Sequence, residues 1–254
     1  MKAELSRVRR FWEDHVNNEY FTRHDRGTPE YFAEIERRRY ASHYHLPELF
    51  ERLRPVAPGL RLLEVGCGIG VDTLRLARLG FAEVVGIDLT AVAVRLAGRR
   101  ARREGLGTVR FGVGDAEELA FADGSFDVVY SFGVLHHTPR IERAVAEVRR
   151  VLAPGGLALV MLYHSRSLVN LVHRLLGLPF ESPRNLKDHC PVVYRYRREA
   201  ARELFAGFED VAIRSEYPFT HGMRAAARLV PRSVERALGR RIGWHLMIEA
   251  RKGR

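Results

Sequence analysis

The sequence has two cysteines, three lysines and no run of apolar residues of membrane-spanning length. A transmembrane helix needs about 18 or more consecutive apolar residues, so none is expected. The opening stretch MKAELSRVRRFWEDHVNN carries neither the apolar core nor the small-residue cleavage site of a secretion signal. Cys67 and Cys190 cannot form a zinc site by themselves, and Cys67 sits between glycines, which argues against a structural disulfide. A reducing, cytoplasmic setting is the expectation. No internal repeat and no low-complexity segment interrupts the chain.

What is present is an ordinary globular composition with an unusual charge. Hydrophobic residues make up 46% and charged residues 29% of 254 residues, enough for one large α/β domain or one domain with a cap. The net charge is +11, which raises nucleic acid or an anionic membrane as partner. Yet of the 42 basic residues only Lys2, Lys187 and Lys252 are lysine. An arginine bias of that kind follows codon supply in a GC-rich genome and needs no anionic ligand. The arginines are also spread in pairs along the chain, which favours solvated helix faces over one basic surface.

Hydrophobic spacing places helices at 3–17 and 29–53, with Thr28 as N-cap and Pro29 in the first turn. Pro55 and Pro58-Gly59 then mark a join. From Arg61 onward the rhythm is strand, loop, helix. Strands are expected at 61–65, 83–87, 108–112, 126–132 and 157–163, with helices near 71–79, 90–104 and 139–152 between them. Later come an amphipathic helix at 168–176, a helix near 196–206, a strand near 209–216, a basic helical stretch at 222–239 and a last strand at 244–250. Such alternation predicts a doubly wound parallel sheet with its ligand crevice at the strands' carboxyl ends.

Four sequence features converge on that edge. Glu64-Val65-Gly66-Cys67-Gly68-Ile69-Gly70 puts glycines where a first strand ends, letting the backbone turn sharply and approach a ligand. A dinucleotide fingerprint would carry a later glycine, but Val71, Asp72 and Thr73 follow. Asp88 ends the second strand and can either accept ribose hydroxyls or cap the next helix. Gly114-Asp115-Ala116 follows the third strand; Asp115 can read an adenine amine or cap a turn. Ser131 through Pro139 follows the fourth and contains the adjacent pair His136 and His137. Adjacent side chains diverge and no third ligand has recognisable spacing, so no metal is expected.

These segments together resemble the class I S-adenosylmethionine-dependent methyltransferases, in the branch of the ubiquinone/menaquinone biosynthesis enzymes. The carrying motifs are LLEVGCGIG (62–70), VVGIDLT (84–90), GDAEELAFADGSFDVVYSFGVLHHTP (114–139) and AEVRRVLAPGGLALVMLYH (146–164). The resemblance implies a Rossmann-like α/β fold, with a seven-stranded, mostly parallel sheet whose last strand is antiparallel. It implies S-adenosyl-L-methionine as cofactor, held by Gly66, Cys67, Gly68, Gly70, Asp88, Leu89, Asp115, Ala116 and Ser131, with Glu64 either orienting the loop or reaching the cofactor's amine. Residues 59–254 would then be the methyltransferase domain, 1–58 a helical N-terminal cap, and 164–195 and 218–241 cap insertions.

Methyl transfer from a sulfonium needs alignment and exclusion of water, plus a general base only if the acceptor is protonated. His136 and His137 are the expected base or acceptor-orienting groups, with Tyr163 and His164 as further candidates. Tyr20, Phe21, Tyr40, Tyr44, Phe180, His189, Tyr194 and Tyr196 either line an aromatic acceptor pocket or pack the caps. The expected partner is a small-molecule acceptor, a specialised metabolite methylated on O, N or C. A lipid or quinone precursor at a membrane surface, contacted by the basic stretch at 222–239, is the alternative. Nucleic acid is the weaker reading: Ser131-Phe132-Gly133-Val134 stands where exocyclic-amine enzymes carry Asn/Asp-Pro-Pro-aromatic, and Cys190-Pro191 reverses the Pro-Cys order of cytosine C5 enzymes.

Overall fold

A computed structural model of the chain describes residues 2–16, 19, 22–107, 109–178, 189–220, 223 and 229–254. Tyr20, Phe21, Phe180 and most of the segment 221–228 lie outside the described residues.

Three helices come first: α1 (Lys2–Asp14), α2 (Pro29–Ser42) and α3 (His45–Leu53). The expected single helix over 29–53 is therefore two. Pro47 supplies the reason, since it lacks an N–H and its ring would clash with the carbonyl four residues back. The chain stops at His43 and restarts so that Pro47 falls in the first turn of α3. Thr28 caps α2 as expected, its hydroxyl accepting from the Tyr31 amide at 3.2 Å.

The alternating part follows: β1 (Arg61–Val65), α4 (Val71–Ala77), β2 (Glu83–Asp88), α5 (Ala91–Arg103), β3 (Val109–Val113), β4 (Phe126–Phe132), α6 (Ile141–Val151), β5 (Leu152–Tyr163), α7 (Leu168–Leu176), α8 (Arg198–Leu204), β6 (Glu209–Glu216), α9 (Arg232–Ile242) and β7 (His245–Arg251). The seven strands form one sheet in the order β3-β2-β1-β4-β5-β7-β6. β7 runs antiparallel to both of its neighbours, and the other pairs are parallel. The fold is thus the Rossmann-like seven-stranded α/β sheet that the motifs implied.

Both sheet faces are covered, so the central strands are apolar throughout rather than alternating. Leu63, Val129, Val160 and Leu162 face a core closed by α6 and α8. Leu62, Val128, Tyr130 and Met161 face a second core closed by α3 and α4. β5 starts five residues earlier than expected. The pairing jumps from Phe126 opposite Leu152 to Val128 opposite Leu157, so Pro154-Gly155-Gly156 forms an irregularity inside the strand.

The chain winds outward from β1 to β3 on one side and from β4 onward on the other. β1 and β4 are neighbours from which the connections diverge, so their carboxyl ends leave a crevice between them.

Candidate active site

At this switch point the chain leaves β1 through the glycine loop. The amides of Gly66 and Cys67 both donate to the Ile87 carbonyl at 2.8 Å, folding the loop back over the end of β2. Gly66 has φ of +80°, and a Cβ there would lie 2.1 Å from Cγ2 of Val134. Gly68 has φ of +51° but open space where a Cβ would stand. The first glycine is thus required by packing, the second by backbone conformation and by its place on the crevice wall.

Asp88 ties this loop to α5. Its Oδ2 accepts from the Gly68 amide at 2.9 Å, and its Oδ1 accepts from the Thr90 amide and hydroxyl at 2.9 and 2.8 Å. A carboxylate has about four acceptor positions, so three bonds leave capacity on Oδ2 for a further donor. Burial pushes the Asp88 carboxyl upward, and the bonds from Thr90 and Gly68 oppose that shift. Asp88 is not the N-cap of α5, which is Thr90, but it holds that residue in place and also lines the crevice. Asp115 caps its own turn by accepting from the Glu117 amide at 2.9 Å, and it too reaches the wall with Ala116 and Leu89.

Beyond β4, Leu135–His137 form a single 3-10 turn. His137 lines the crevice. Its Nδ1 lies 2.8 Å from the Val192 carbonyl, which can only accept, so Nδ1 carries a proton and the neutral ring would have its lone pair on Nε2. The other three proposed catalytic groups sit elsewhere. His136 is fully buried, its ring 3.9 Å from that of Tyr163, and burial together with His137 drives its pKa well down. Tyr163 is packed between His136 and Trp244. His164 donates from Nδ1 to the Gly243 carbonyl at 3.0 Å.

Four of the expected cofactor residues are likewise off the wall. Ser131 is buried and donates to the Val65 carbonyl at 3.0 Å, stitching β4 to β1. Cys67 is buried, and Gly70 starts α4 at φ of +77°. Glu64 turns away from the crevice and accepts from the Thr73 hydroxyl at 2.5 Å, fixing the loop to α4. Of the aromatic cap residues, Tyr40 bonds Asp72, and Tyr44 bonds Glu216 at 3.1 Å, both packing the N-terminal segment rather than lining the crevice.

The fourth wall had no motif to announce it. α1 lies across the crevice, presenting Leu5, Val8 and Trp12, with Val16 just beyond. The Trp12 ring meets the His137 ring edge-on, with centroids 5.3 Å apart. The spacing 5, 8, 12 gives one helical face, which is legible in the sequence; what that face covers is not. Among the described residues, no arginine or lysine lines the crevice. No group of three or more His, Cys, Asp or Glu is placed among them to hold a metal ion.

Residues 63–160 match the family model described as a methyltransferase domain. A phthiotriol/phenolphthiotriol dimycocerosates methyltransferase of Mycobacterium ulcerans is 36% identical over 184 residues, 72% of this chain and 62% of that protein. The family match places a methyltransferase domain at residues 63–160. A sterol 24-C-methyltransferase of Gibberella zeae is 38% identical over 103 residues, 40% of this chain and 27% of that protein. The chain thus aligns to between 27% and 62% of the length of these two relatives. The fold is shared with magnesium protoporphyrin IX methyltransferase from Synechocystis, solved with S-adenosylhomocysteine bound. That structure superposes with a TM-score of 0.65 at 17% identity, covering 98% of this chain and 99% of that one.

The donor that the sequence motifs imply is S-adenosylmethionine, and the crevice has room and groups for it. Gly68 leaves its backbone open to a ligand, Asp88 keeps an acceptor position, and Leu89 and Ala116 supply apolar walls.

Glu64 gives the fold a pH signature. Burial and the nearby Asp72 charge push the Glu64 carboxyl well above its ordinary range, against the opposing hydroxyl of Thr73 and the cation of Arg39. A folded pKa above the unfolded one contributes stability that is complete below the unfolded value and is lost as pH rises toward the folded one. Glu64→Gln keeps the acceptor and removes the titration. The variant should gain denaturant midpoint relative to wild type from about pH 4.5 upward, the difference vanishing below that. Parallel pH curves for the two proteins would remove the idea.

Proposed function

We propose that this protein transfers the methyl group of S-adenosylmethionine to a small, largely apolar acceptor with one protic group, aligned by His137. The observation that carries this reading is the composition of the crevice. One end joins Gly66, Gly68, Asp88, Leu89, Asp115 and Ala116; the other joins His137 to the apolar face of α1. Gly66 and Gly68 would hold the methionine part of the cofactor, Asp88 the ribose hydroxyls, and Leu89, Asp115 and Ala116 the adenine. Bound there, the cofactor supplies an already activated sulfonium methyl.

The protein's own contribution is alignment and dryness. Leu5, Val8 and Trp12 cover the reacting space, so water is kept from it. The Val192 carbonyl fixes His137 in the tautomer whose Nε2 has a lone pair, able to take a proton from a hydroxyl or phenol. An acceptor carrying many phosphates fits badly, because among the described residues no arginine or lysine lines the walls. Relatives named for acting on sterols and phthiotriols support an acceptor of lipid character, in keeping with the likeness to quinone-biosynthesis enzymes.

The test has two parts. S-adenosylhomocysteine at a hundredfold excess over its Kd should stabilise the fold by about 2.7 kcal/mol in a thermal-shift assay. No shift would overturn the reading. Once an acceptor is found, His137→Ala should lose about 10²–10⁴-fold in kcat with the cofactor-induced shift retained. His136→Ala is the contrast, since its ring supports packing and its loss should lower Tm instead.

A further inference from the structure

The chain leaves β5 at His164 and returns beside it at Tyr196. The Ser165 amide donates to the Tyr196 carbonyl at 2.9 Å, and the Tyr196 amide donates to the Tyr163 carbonyl at 2.8 Å. On the outward leg stands α7, begun by a Ser167 cap that accepts from the Asn170 amide at 3.1 Å and ended by Gly177 at φ of +62°. On the return leg stands Val192, the residue that fixes His137.

α7 is built as a core helix but is not buried as one. Leu168, Leu171, Val172 and Leu175 fall at the spacing of one apolar face. Yet Val169 and Asn170 are its only residues buried. Leu171, Leu175 and Leu176 are 52%, 75% and 66% exposed. Residues 164–178 contain no aspartate or glutamate. Arg166 and Arg174 are exposed and have no acidic partner among the described residues.

The neighbouring element repeats the pattern. The His164 amide donates to the Trp244 carbonyl at 2.8 Å, so the end of α9 lies beside the start of this excursion, at the same edge of the sheet. α9 and its approach carry exposed Leu229 and Val234, with Arg240 and Arg241 exposed at its end.

We propose that the outward leucine face of α7, with the arginines around it, docks the protein on an anionic lipid surface. Such a surface supplies both parts of the match: acyl chains for the leucines and acidic headgroups for Arg166, Arg174, Arg240 and Arg241. A second copy of the chain would supply the leucines but would bring like charge against like, since each copy carries +11. Docking through α7 places the excursion that holds His137 beside the membrane, where an apolar acceptor would be dissolved. That delivery rests on the methyl-transfer reading; the docking does not.

Co-sedimentation of the full chain with vesicles tests it. The protein should pellet with phosphatidylcholine vesicles containing phosphatidylglycerol, and far less with phosphatidylcholine alone or at high salt. The combined variant Leu171→Gln, Leu175→Gln, Leu176→Gln should lose about tenfold or more in vesicle affinity. Arg166→Gln with Arg174→Gln should weaken binding to the anionic vesicles only. Because these side chains are exposed, all variants should keep the S-adenosylhomocysteine thermal shift, which separates failure of docking from failure of the cofactor site. Wild-type protein that pellets with neither vesicle, or a leucine variant that binds like wild type, would overturn the proposal. So would a wild-type dimer, seen by light scattering, that the leucine variant converts to monomer.

Discussion

Gly66→Ala should unfold part of the site before any cofactor question arises. Its Cβ would stand 2.1 Å from Cγ2 of Val134, and its backbone would have to hold φ of +80°. The left-handed conformation costs a non-glycine residue about 1–2 kcal/mol, and forcing a methyl into a packed contact adds about 1–3 kcal/mol. The expected loss of stability is therefore about 2–5 kcal/mol, with no measurable stabilisation by S-adenosylhomocysteine. Gly68→Ala is the informative partner. Nothing lies within 4 Å of its added methyl, so it should lose only about 1 kcal/mol of stability. On the proposed function its cofactor affinity should nonetheless fall, because Gly68 lines the crevice. Chemical denaturation with calorimetric titration of both variants checks the pair. Equal stability losses in the two would show that Val134 yields without cost.

Asp72→Ala should cost more. Arg39 and Asp72 form a bidentate ion pair, with one bond at 2.7 Å and a second between Nη2 and Oδ2, and their side chains are 11% and 1% exposed. Tyr130 and Tyr40 also donate to the carboxylate, at 2.7 and 3.0 Å. Removing Asp72 leaves a buried guanidinium and two hydroxyls without that acceptor. Breaking a buried pair in this way costs about 3–5 kcal/mol. For a chain of this size Tm should drop by about 10 °C. Replacing both partners, as Arg39→Met with Asp72→Leu, should recover part of the loss, because no buried charge is then stranded. A single variant that melts like wild type would show that water reaches Arg39. Loss of Asp72 should also bring the Glu64 carboxyl down, since the Asp72 charge helps hold it up.

This cluster shows where sequence reading stops. Glu64 is legible as part of the glycine loop, and its turn toward Thr73 is not, because the packing of α4 brings Thr73 to Glu64 and the packing of α2 brings Arg39 to Asp72. His136 and His137 look equivalent as a dipeptide. A single 3-10 turn sends one ring into the core beside Tyr163 and leaves the other against Trp12. Ser131 ends an apolar strand at the crevice edge. Side chains alternate along a strand, and its hydroxyl falls on the side that meets Val65.

The sequence by itself determined the seven-stranded alternation, the glycine loop and the acidic residues at the ends of β2 and β3. Those signals are local: periodicity, turn residues and short motifs fix backbone conformation within a few residues of themselves. Tertiary structure alone decided three things: that α1 roofs the crevice, that Val192 holds the tautomer of His137, and that the apolar face of α7 points outward. The first two join segments far apart in the chain, Trp12 to His137 and Val192 to His137, and the third depends on what packs over α7; only the packing of the whole fold sets these.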